Sequence, residues 1–161
     1  LFERAIAILN ASSYCTLSTA SPDGSPWGTP LFFITDDILN FYWSSTTVAQ
    51  HSVNLAQSSG VAMVTMYTPH DATGATQGLY FRGKAIVLND EHQVAPLLSL
   101  METKSGRPMP RTALDYLGES PRRFYRFTPD AVWITGDRLV DGNQLIDTKI
   151  ALDVAKLREL V

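Results

Sequence analysis

Hydrophobic residues in this chain follow two different spacings, and the strand-like spacing covers more of the chain. Alternating or continuous apolar residues, typical of strands, fall in residues 13–20, 27–35, 38–44, 61–67, 77–88, 122–127 and 131–135. Apolar residues at helical spacing predict helices over residues 2–10, about 47–57, 90–101, 111–117 and 147–160. The pattern predicts a protein made mainly of strands, with a few short helices around them.

Turn-forming residues separate these segments. Residues 21–24, Ser-Pro-Asp-Gly, predict a hairpin turn, and Asp36-Asp37 turns the chain again. We expect loops over residues 68–76, 104–110 and 136–143, and a break at residues 128–130, Thr-Pro-Asp, between the last two strands. Gly83 stands inside a long strand pattern, which indicates a bulge, a sharp bend or the close approach of another backbone.

The order of these segments predicts the fold class. Strands with little helix between them do not make parallel βαβ units. Their spacing favours a mainly β fold, an antiparallel barrel of about six strands with Greek-key character and peripheral helices. No repeat, low-complexity run or linker divides the chain, so we expect a single domain over residues 1–161.

Composition and charge narrow the classes of function. A net charge of −3 and a pI near 5.5 argue against a nucleic-acid-binding protein. The dense basic group, residues 122–126, alternates like a strand, and we interpret it as a solvated strand face. Cys15 is the single cysteine, so there is no internal disulfide and no zinc spacing, and we expect a buried thiol and no metal site. The sequence shows no membrane span, secretory signal or disulfide framework, and we expect a cytoplasmic protein.

Four consecutive hydroxyl residues, Ser44 to Thr47, carry the clearest chemistry. They stand where a strand ends and a helix is expected to begin, with Thr46 or Thr47 as its N-cap. Hydroxyls beside free backbone N–H groups suit an anion such as a phosphate. Trp27 and Trp43 stand nearby in the sequence and could cover a flat ring, but the pattern equally well places Trp43 in the core of the barrel. A phosphorylated planar ligand is indicated, with flavin mononucleotide (FMN) as the leading candidate.

The order of several motifs resembles the FMN-binding split-barrel family that includes pyridoxamine 5′-phosphate oxidase. Each motif is weak alone, but together they occur in the family's order over roughly residues 5–136. The segments that carry the resemblance are residues 15–19, 23–33, 39–45, 51–55, 80–85 and 125–133.

The resemblance implies a homodimer with two flavin sites at the subunit interface and a small-molecule substrate. Trp27, Gly28, Thr29 and Pro30 would lie along the flavin ring, with Trp43 bordering it. The phosphate would be held by Ser44, Ser45, Thr46, Gln50 and His51. Further contacts with cofactor or substrate would come from Gln77, Arg82, Trp133 and Arg138. If the protein is an enzyme, it is an oxidoreductase in which the flavin carries the chemistry, with hydride transfer at flavin N5.

One departure from the family pattern bears on the cofactor. The family usually has an arginine followed by lysine or histidine where this chain has Gln50-His51, so a bidentate phosphate clamp is missing. The sequence leaves open whether His51 donates to phosphate or is simply packed. Three alternatives remain: a deazaflavin-dependent reductase, a flavin- or haem-binding protein without turnover (with His70 as an axial ligand), and a dimeric module that has lost its ligand.

Overall fold

A computed structural model describes residues 1–68 and 76–161, and most of the predicted loop at 68–76, including His70, lies outside the described residues. The α-helices are α1 (Phe2–Ala11), α2 (Gln50–Gln57), α3 (Glu91–Ser105) and α4 (Val154–Arg158), with a 3-10 helix η1 at Ala113–Tyr116. The strands are β1 (Tyr14–Ala20), β2 (Pro26–Phe32), β3 (Ile34–Thr35), β4 (Phe41–Thr46), β5 (Val61–Thr68), β6 (Gln77–Val87), β7 (Arg122–Thr135), β8 (Leu139–Asp141), β9 (Gln144–Ile146) and β10 (Lys149–Leu152).

The main sheet curls into a half-barrel, as the sequence predicts. Its strand order is β2-β1-β5-β6-β7-β4-β3, with β10 paired to β7, and every pair is antiparallel. The strands at the two ends of this order, β2 and β3, are separated in sequence only by Phe33. One continuous segment therefore forms both ends, which requires the sheet to close on itself. Counting β2 and β3 together gives the six strands expected of the barrel.

The barrel interior is an aromatic core. Phe41 is fully buried, and its ring centroid lies 5.5 Å from that of Phe33, 4.9 Å from Phe81 and 5.9 Å from Phe127. A second apolar cluster joins α3 and η1 to the outer side of the sheet at β3 and β7. Cys15 is buried as predicted, and burial raises the pKa of its thiol to about 12.

Two predictions for the C-terminal third were wrong. Residues 122–135 form one strand, β7, because a bulge accommodates Pro129: Gly83 pairs with Pro129 and Arg82 with Ala131, which leaves Asp130 as the extra residue. The predicted helix at 147–160 divides at Asp153, whose side chain accepts hydrogen bonds from the N–H groups of Ala155 and Lys156 and so begins α4 there. The residues before it form β10.

Smaller corrections concern the segments around the candidate site. The strand predicted at 27–35 is interrupted at Phe33. The loop predicted at 136–143 contains the start of the β8–β9 hairpin. Helix α2 begins at Gln50 with Ala49 as its N-cap, so the prediction of Thr46 or Thr47 as the cap was wrong. Thr46 instead ends β4. No helix in the described part of the chain is long and apolar enough to cross a membrane.

Candidate functional site

The barrel is open between β2 and β4. In the described part of the chain β2 and β4 do not pair, and the nearest pairing is that of β3, which follows β2, with β4, through Ile34–Tyr42 and Thr35–Phe41. Beyond that point β2 pairs with β1, and β4 pairs with β7. A cavity of about 260 Å³ lies beside the opening, lined by Pro30 and Phe32 on one side, Ser44 on the other, and Met101 and Ser105 of α3. The opening therefore brings together two segments that the sequence assigned to the ring and to the phosphate.

His51 bridges this opening. Its side chain is buried, with Nε2 2.7 Å from Ser45 Oγ on β4 and Nδ1 3.3 Å from Thr29 Oγ1 on β2. A neutral imidazole donates through one nitrogen and accepts at the other, and each hydroxyl can take either role. The imidazole therefore replaces, with two side-chain hydrogen bonds, the strand pairing that is absent between β2 and β4.

A second group of hydrogen bonds fixes α2 against β1. Asn54, fully buried, donates from Nδ2 to Thr19 Oγ1 at 3.0 Å. Its Oδ1 accepts from Gln50 Nε2 at 2.8 Å and from the Ser21 hydroxyl at 3.2 Å. Gln50 is thus engaged within its own helix, and the face of α2 that carries His51 and Asn54 is held at the end of the barrel.

Burial lowers the pKa of His51, because the surrounding protein solvates the imidazolium less well than water does. The folded state therefore binds the proton less readily than the unfolded state. Between the ordinary histidine pKa and the lowered one, the unfolded state holds more protons, and the free energy of unfolding falls as the pH falls. The imidazole in the bridge is neutral at neutral pH.

We expect the free energy of unfolding to decrease as the pH is lowered through about 6.5, the ordinary pKa of histidine, and to go on decreasing until the lowered pKa of His51 in the folded state is passed. Denaturant unfolding at a series of pH values measures this dependence. In His51→Gln the dependence over that window should largely disappear, because the amide does not titrate there. A His51→Gln profile as steep as that of the unchanged protein would assign the dependence to another group.

Among the residues that the structure describes, no side chain caps the N–H groups at the start of α2. Its N-cap, Ala49, provides no side-chain hydrogen bond, and the first intrahelical bond of this turn runs from Val53 N–H to the Ala49 carbonyl. The N–H groups at positions 50 to 52 precede it. Ser44 and Thr46 alternate with the buried side chains of β4, so their hydroxyls lie on its outer side. This end of β4 and α2 offers several hydrogen-bond donors to an anion.

Three of the five residues predicted to lie along the ring are exposed, whereas Thr29 is half-buried against His51. Trp27 is 49% exposed, and Gly28 and Pro30 are also exposed along β2. Trp43 instead lies inside the barrel, 1% exposed, with its indole stacked on Tyr125 at 5.6 Å between centroids. Its assignment to the ring wall is therefore corrected: Trp43 belongs to the core.

The remaining predicted residues lie on other strands. Two rows of cross-strand neighbours run across the sheet, one through Gly28, Ser18, Met63 and Arg82, the other through Pro30, Thr16, Thr65, Tyr80 and Trp133. Arg82 on β6 is three strands from β2, roughly 14 Å, and Trp133 on β7 is four strands away, roughly 19 Å, so neither joins the opening within one chain. They share its sheet face.

Each of these residues has its own partners within the chain. Arg82 pairs with Asp130 at 2.9 Å and lies over the Trp133 ring, 5.8 Å from its centroid. Arg138 pairs with Asp147 at 2.8 Å, outside the main sheet. Gln77, at the start of β6, is buried. None of these contacts brings the four residues to the opening.

Sequence reasoning missed Arg122. The sequence places it in a basic strand, whereas the sheet pairs it with Thr46 at the end of β4. Its neighbour Arg123 donates to the carbonyl groups of Gly118, Ser120 and Arg122, which fixes the turn before β7. Strand register cannot be read from composition, so nothing in the sequence alone connected Arg122 to the hydroxyl residues. No group of acidic, histidine or cysteine side chains suited to a metal occurs in the described ranges.

Comparison with known proteins agrees with this architecture. The family model described as pyridoxamine 5′-phosphate oxidase matches residues 1–136. No curated protein sequence matches the chain.

Solved structures share the fold at low sequence identity. An F420 reductase is 18% identical with a TM-score of 0.58, over 78% of this chain and 93% of that one. A heme binding protein from Mycobacterium smegmatis is 15% identical with a TM-score of 0.61, over 99% of this chain and 60% of that one. Campylobacter jejuni ChuZ is 10% identical with a TM-score of 0.67, over 91% of this chain and 61% of that one. At these identities the likeness concerns the fold.

Proposed function

Because the chain belongs to the pyridoxamine 5′-phosphate oxidase family, we propose that it is an FMN-binding flavoprotein that acts as an oxidoreductase on a small substrate. The observation that carries the proposal is the opening between β2 and β4. In this family member, an exposed strand with Trp27, Gly28 and Pro30 faces, across the opening, a strand end with Ser44 and Thr46. The two sides suit a flat ring and an anionic tail, respectively.

The hydrogen-bond donors around the opening suit the phosphate of a phosphorylated flavin. The N–H groups at the start of α2 have no side-chain cap, and the hydroxyls of Ser44 and Thr46 lie on the same side of β4. Gly28 has no side chain, and a Cβ there would be 3.7 Å from the Thr16 methyl, so the backbone of β2 is accessible from outside. Ser45 and His51 are engaged with each other, and we assign them to the bridge.

The two copies of a homodimer would complete the site. Tyr14, Val61, Met63 and Tyr67 leave exposed apolar side chains on the outer face of β1 and β5, the face that also carries the two rows described above. Apolar surface of this kind favours association. A partner on this face would approach the ring wall with its own Arg82 and Trp133, and Gln77 would lie in the same strand. We propose this as the source of the cofactor contacts that one chain does not bring together.

We further propose that residues 1–161 form one domain. β10 pairs with β7 through four residues, and Leu157 of α4 is buried in the barrel cluster. The segment after residue 136 is therefore packed on the same core as the part that the family model matches.

Bound FMN would supply hydride transfer, and this chain would supply position and electrostatics. The backbone of β2 at Gly28 and Pro30 would cover one face of the ring and exclude water from it, and Trp27, whose side chain lies on the other side of β2, would border the ring. The hydroxyls and N–H groups at β4 and α2 would orient the tail. The polar groups at the opening are hydroxyls and a neutral imidazole that satisfy one another, so we assign no side chain to proton transfer.

We expect the purified protein to bind FMN and to show the two visible absorption bands of oxidised flavin. Titration with FMN and with riboflavin, followed by the change in flavin fluorescence, measures affinity and the contribution of the phosphate. Anaerobic reduction by NADH or NADPH then tests turnover. A colourless protein that ignores added FMN would overturn the proposal, and an intense Soret band after addition of haemin would favour haem binding instead.

A further inference from the structure

The proposed phosphate position lacks a cation from the helix that borders it. Gln50 is uncharged and its side-chain amide donates to Asn54. Burial lowers the pKa of His51, and its two ring nitrogens already contact Ser45 and Thr29. A phosphate that carries nearly two negative charges at neutral pH is bound far better by a cation than by neutral donors alone. The charge must therefore come from another element.

Most cationic side chains of the chain are engaged elsewhere. All 13 lysine and arginine residues lie in the described ranges. Seven of them lie away from the proposed phosphate position and have polar or ring partners. Four arginines bind oxygen atoms: Arg4 those of Thr135 and Asp137, Arg82 that of Asp130, Arg138 that of Asp147 and Arg158 the Pro129 carbonyl. Three lysines lie over aromatic rings: Lys104 over Phe33, Lys149 over Tyr80 and Lys156 over Phe2. Arg123, which is close by in sequence, is held by three carbonyl groups.

Arg122 differs from these in position and in partners. It pairs with Thr46, the last residue of β4, and the Thr47 N–H donates to the carbonyl of Pro121 at 2.8 Å. This strand pairing places the side chains of Arg122 and Thr46 on the same side of the sheet. The alternation along β4 puts Thr46 and Ser44 on the outer side. The Arg122 side chain is half-buried. Among the described residues its guanidinium has no hydrogen bond, ion pair or ring contact.

We propose that Arg122, from β7, supplies the positive charge that holds the phosphate of the cofactor. The guanidinium would act together with the Thr46 hydroxyl and the N–H groups at the start of α2, in place of a cation on α2 itself. This inference rests on the proposed function, since it concerns how the same site binds a phosphorylated flavin. In the family pattern the basic pair holds the phosphate. This chain lacks that pair, and the inference assigns the same role to a residue of β7.

The test compares FMN with riboflavin in three variants, with equilibrium binding followed by flavin fluorescence. In Arg122→Gln the dissociation constant for FMN should rise about 10- to 100-fold, the effect of losing a charge-assisted hydrogen bond, while that for riboflavin changes less than about twofold. Arg122→Lys should give an intermediate loss, because the ammonium keeps the charge but not the bidentate geometry. Lys84→Gln, which removes one charge from an exposed position on β6, should bind both flavins as the unchanged protein does.

The outcomes separate the inference from the function on which it rests. If Arg122→Gln binds FMN as tightly as the unchanged protein, or loses both flavins equally, Arg122 is not the phosphate ligand although the flavin site stands. If the unchanged protein binds neither flavin, the proposed function fails first. Circular dichroism and the unfolding midpoint of each variant show that the fold is retained. A fall in the FMN preference with an unchanged midpoint supports the assignment of Arg122.

Discussion

Replacing Gly83 with alanine is expected to destabilise the protein by about 3 kcal/mol, near the upper end of what an overpacked site costs. A Cβ at position 83 would stand 2.2 Å from the Thr128 carbonyl oxygen and 2.8 Å from Pro129 Cα. Both atoms belong to the backbone of β7, so no side-chain rotation relieves the clash. The strands β6 and β7 would have to separate at the bulge, where they form the longest pairing of the sheet.

Gly28→Ala provides the matched control. Gly28 is also a strand glycine, but its added Cβ would make an ordinary contact, 3.7 Å from the Thr16 methyl. The free energy of unfolding of Gly28→Ala should differ from that of the unchanged protein by no more than about 1 kcal/mol in either direction. Urea unfolding without cofactor measures both variants. Equal midpoints for the two would show that the bulge adapts to a side chain and that Gly83 is not required there.

The two residues at this bulge illustrate how far sequence reasoning reaches in the fold. An interior glycine predicted a bulge, a sharp bend or the close approach of another backbone, and Gly83 lies at a bulge. The proline at 129 predicted the end of a strand, yet β7 continues through it, because a proline without an N–H is tolerated where ladder pairing is already interrupted. Local propensity identifies the irregular position in both cases. Whether the chain ends a strand there or passes through depends on the partner strand, which the sequence does not show.

The same limit applies to the candidate site. The hydroxyl residues at 44–47 and the segment at 27–30, which we predict to lie along a flavin ring, could be singled out along the chain, and the structure places the two segments on either side of one opening. Trp43 and Arg122 could not be assigned, because their roles depend on which side of a strand faces inward and on strand register. Trp43 alternates into the core, whereas Arg122 faces the end of β4. A one-residue change in register would exchange these positions.

Replacing His51 with alanine is expected to destabilise the protein by about 3 kcal/mol. The change leaves the hydroxyls of Ser45 and Thr29 without their shared partner and creates a cavity where the buried imidazole was. Ser45→Ala removes one arm of the bridge and should cost less. The double variant should be less destabilised than the sum of the single variants, by at least about 1 kcal/mol, because both changes remove the same hydrogen bond. Equilibrium unfolding of the four proteins gives this coupling directly.

Flavin binding by His51→Ala distinguishes a bridge from a phosphate ligand. If the imidazole fixes the distance between β2 and β4, its loss weakens the binding of FMN and of riboflavin by the same factor, since both flavins need the ring wall in place. The ratio of the two affinities then stays as in the unchanged protein, in contrast to Arg122→Gln, where the ratio falls. A His51→Ala variant that binds riboflavin normally but loses FMN would mean that the imidazole contacts the phosphate. The charge of the site would then come from α2, where the family pattern places it, and the bridge would exist only in the protein without cofactor.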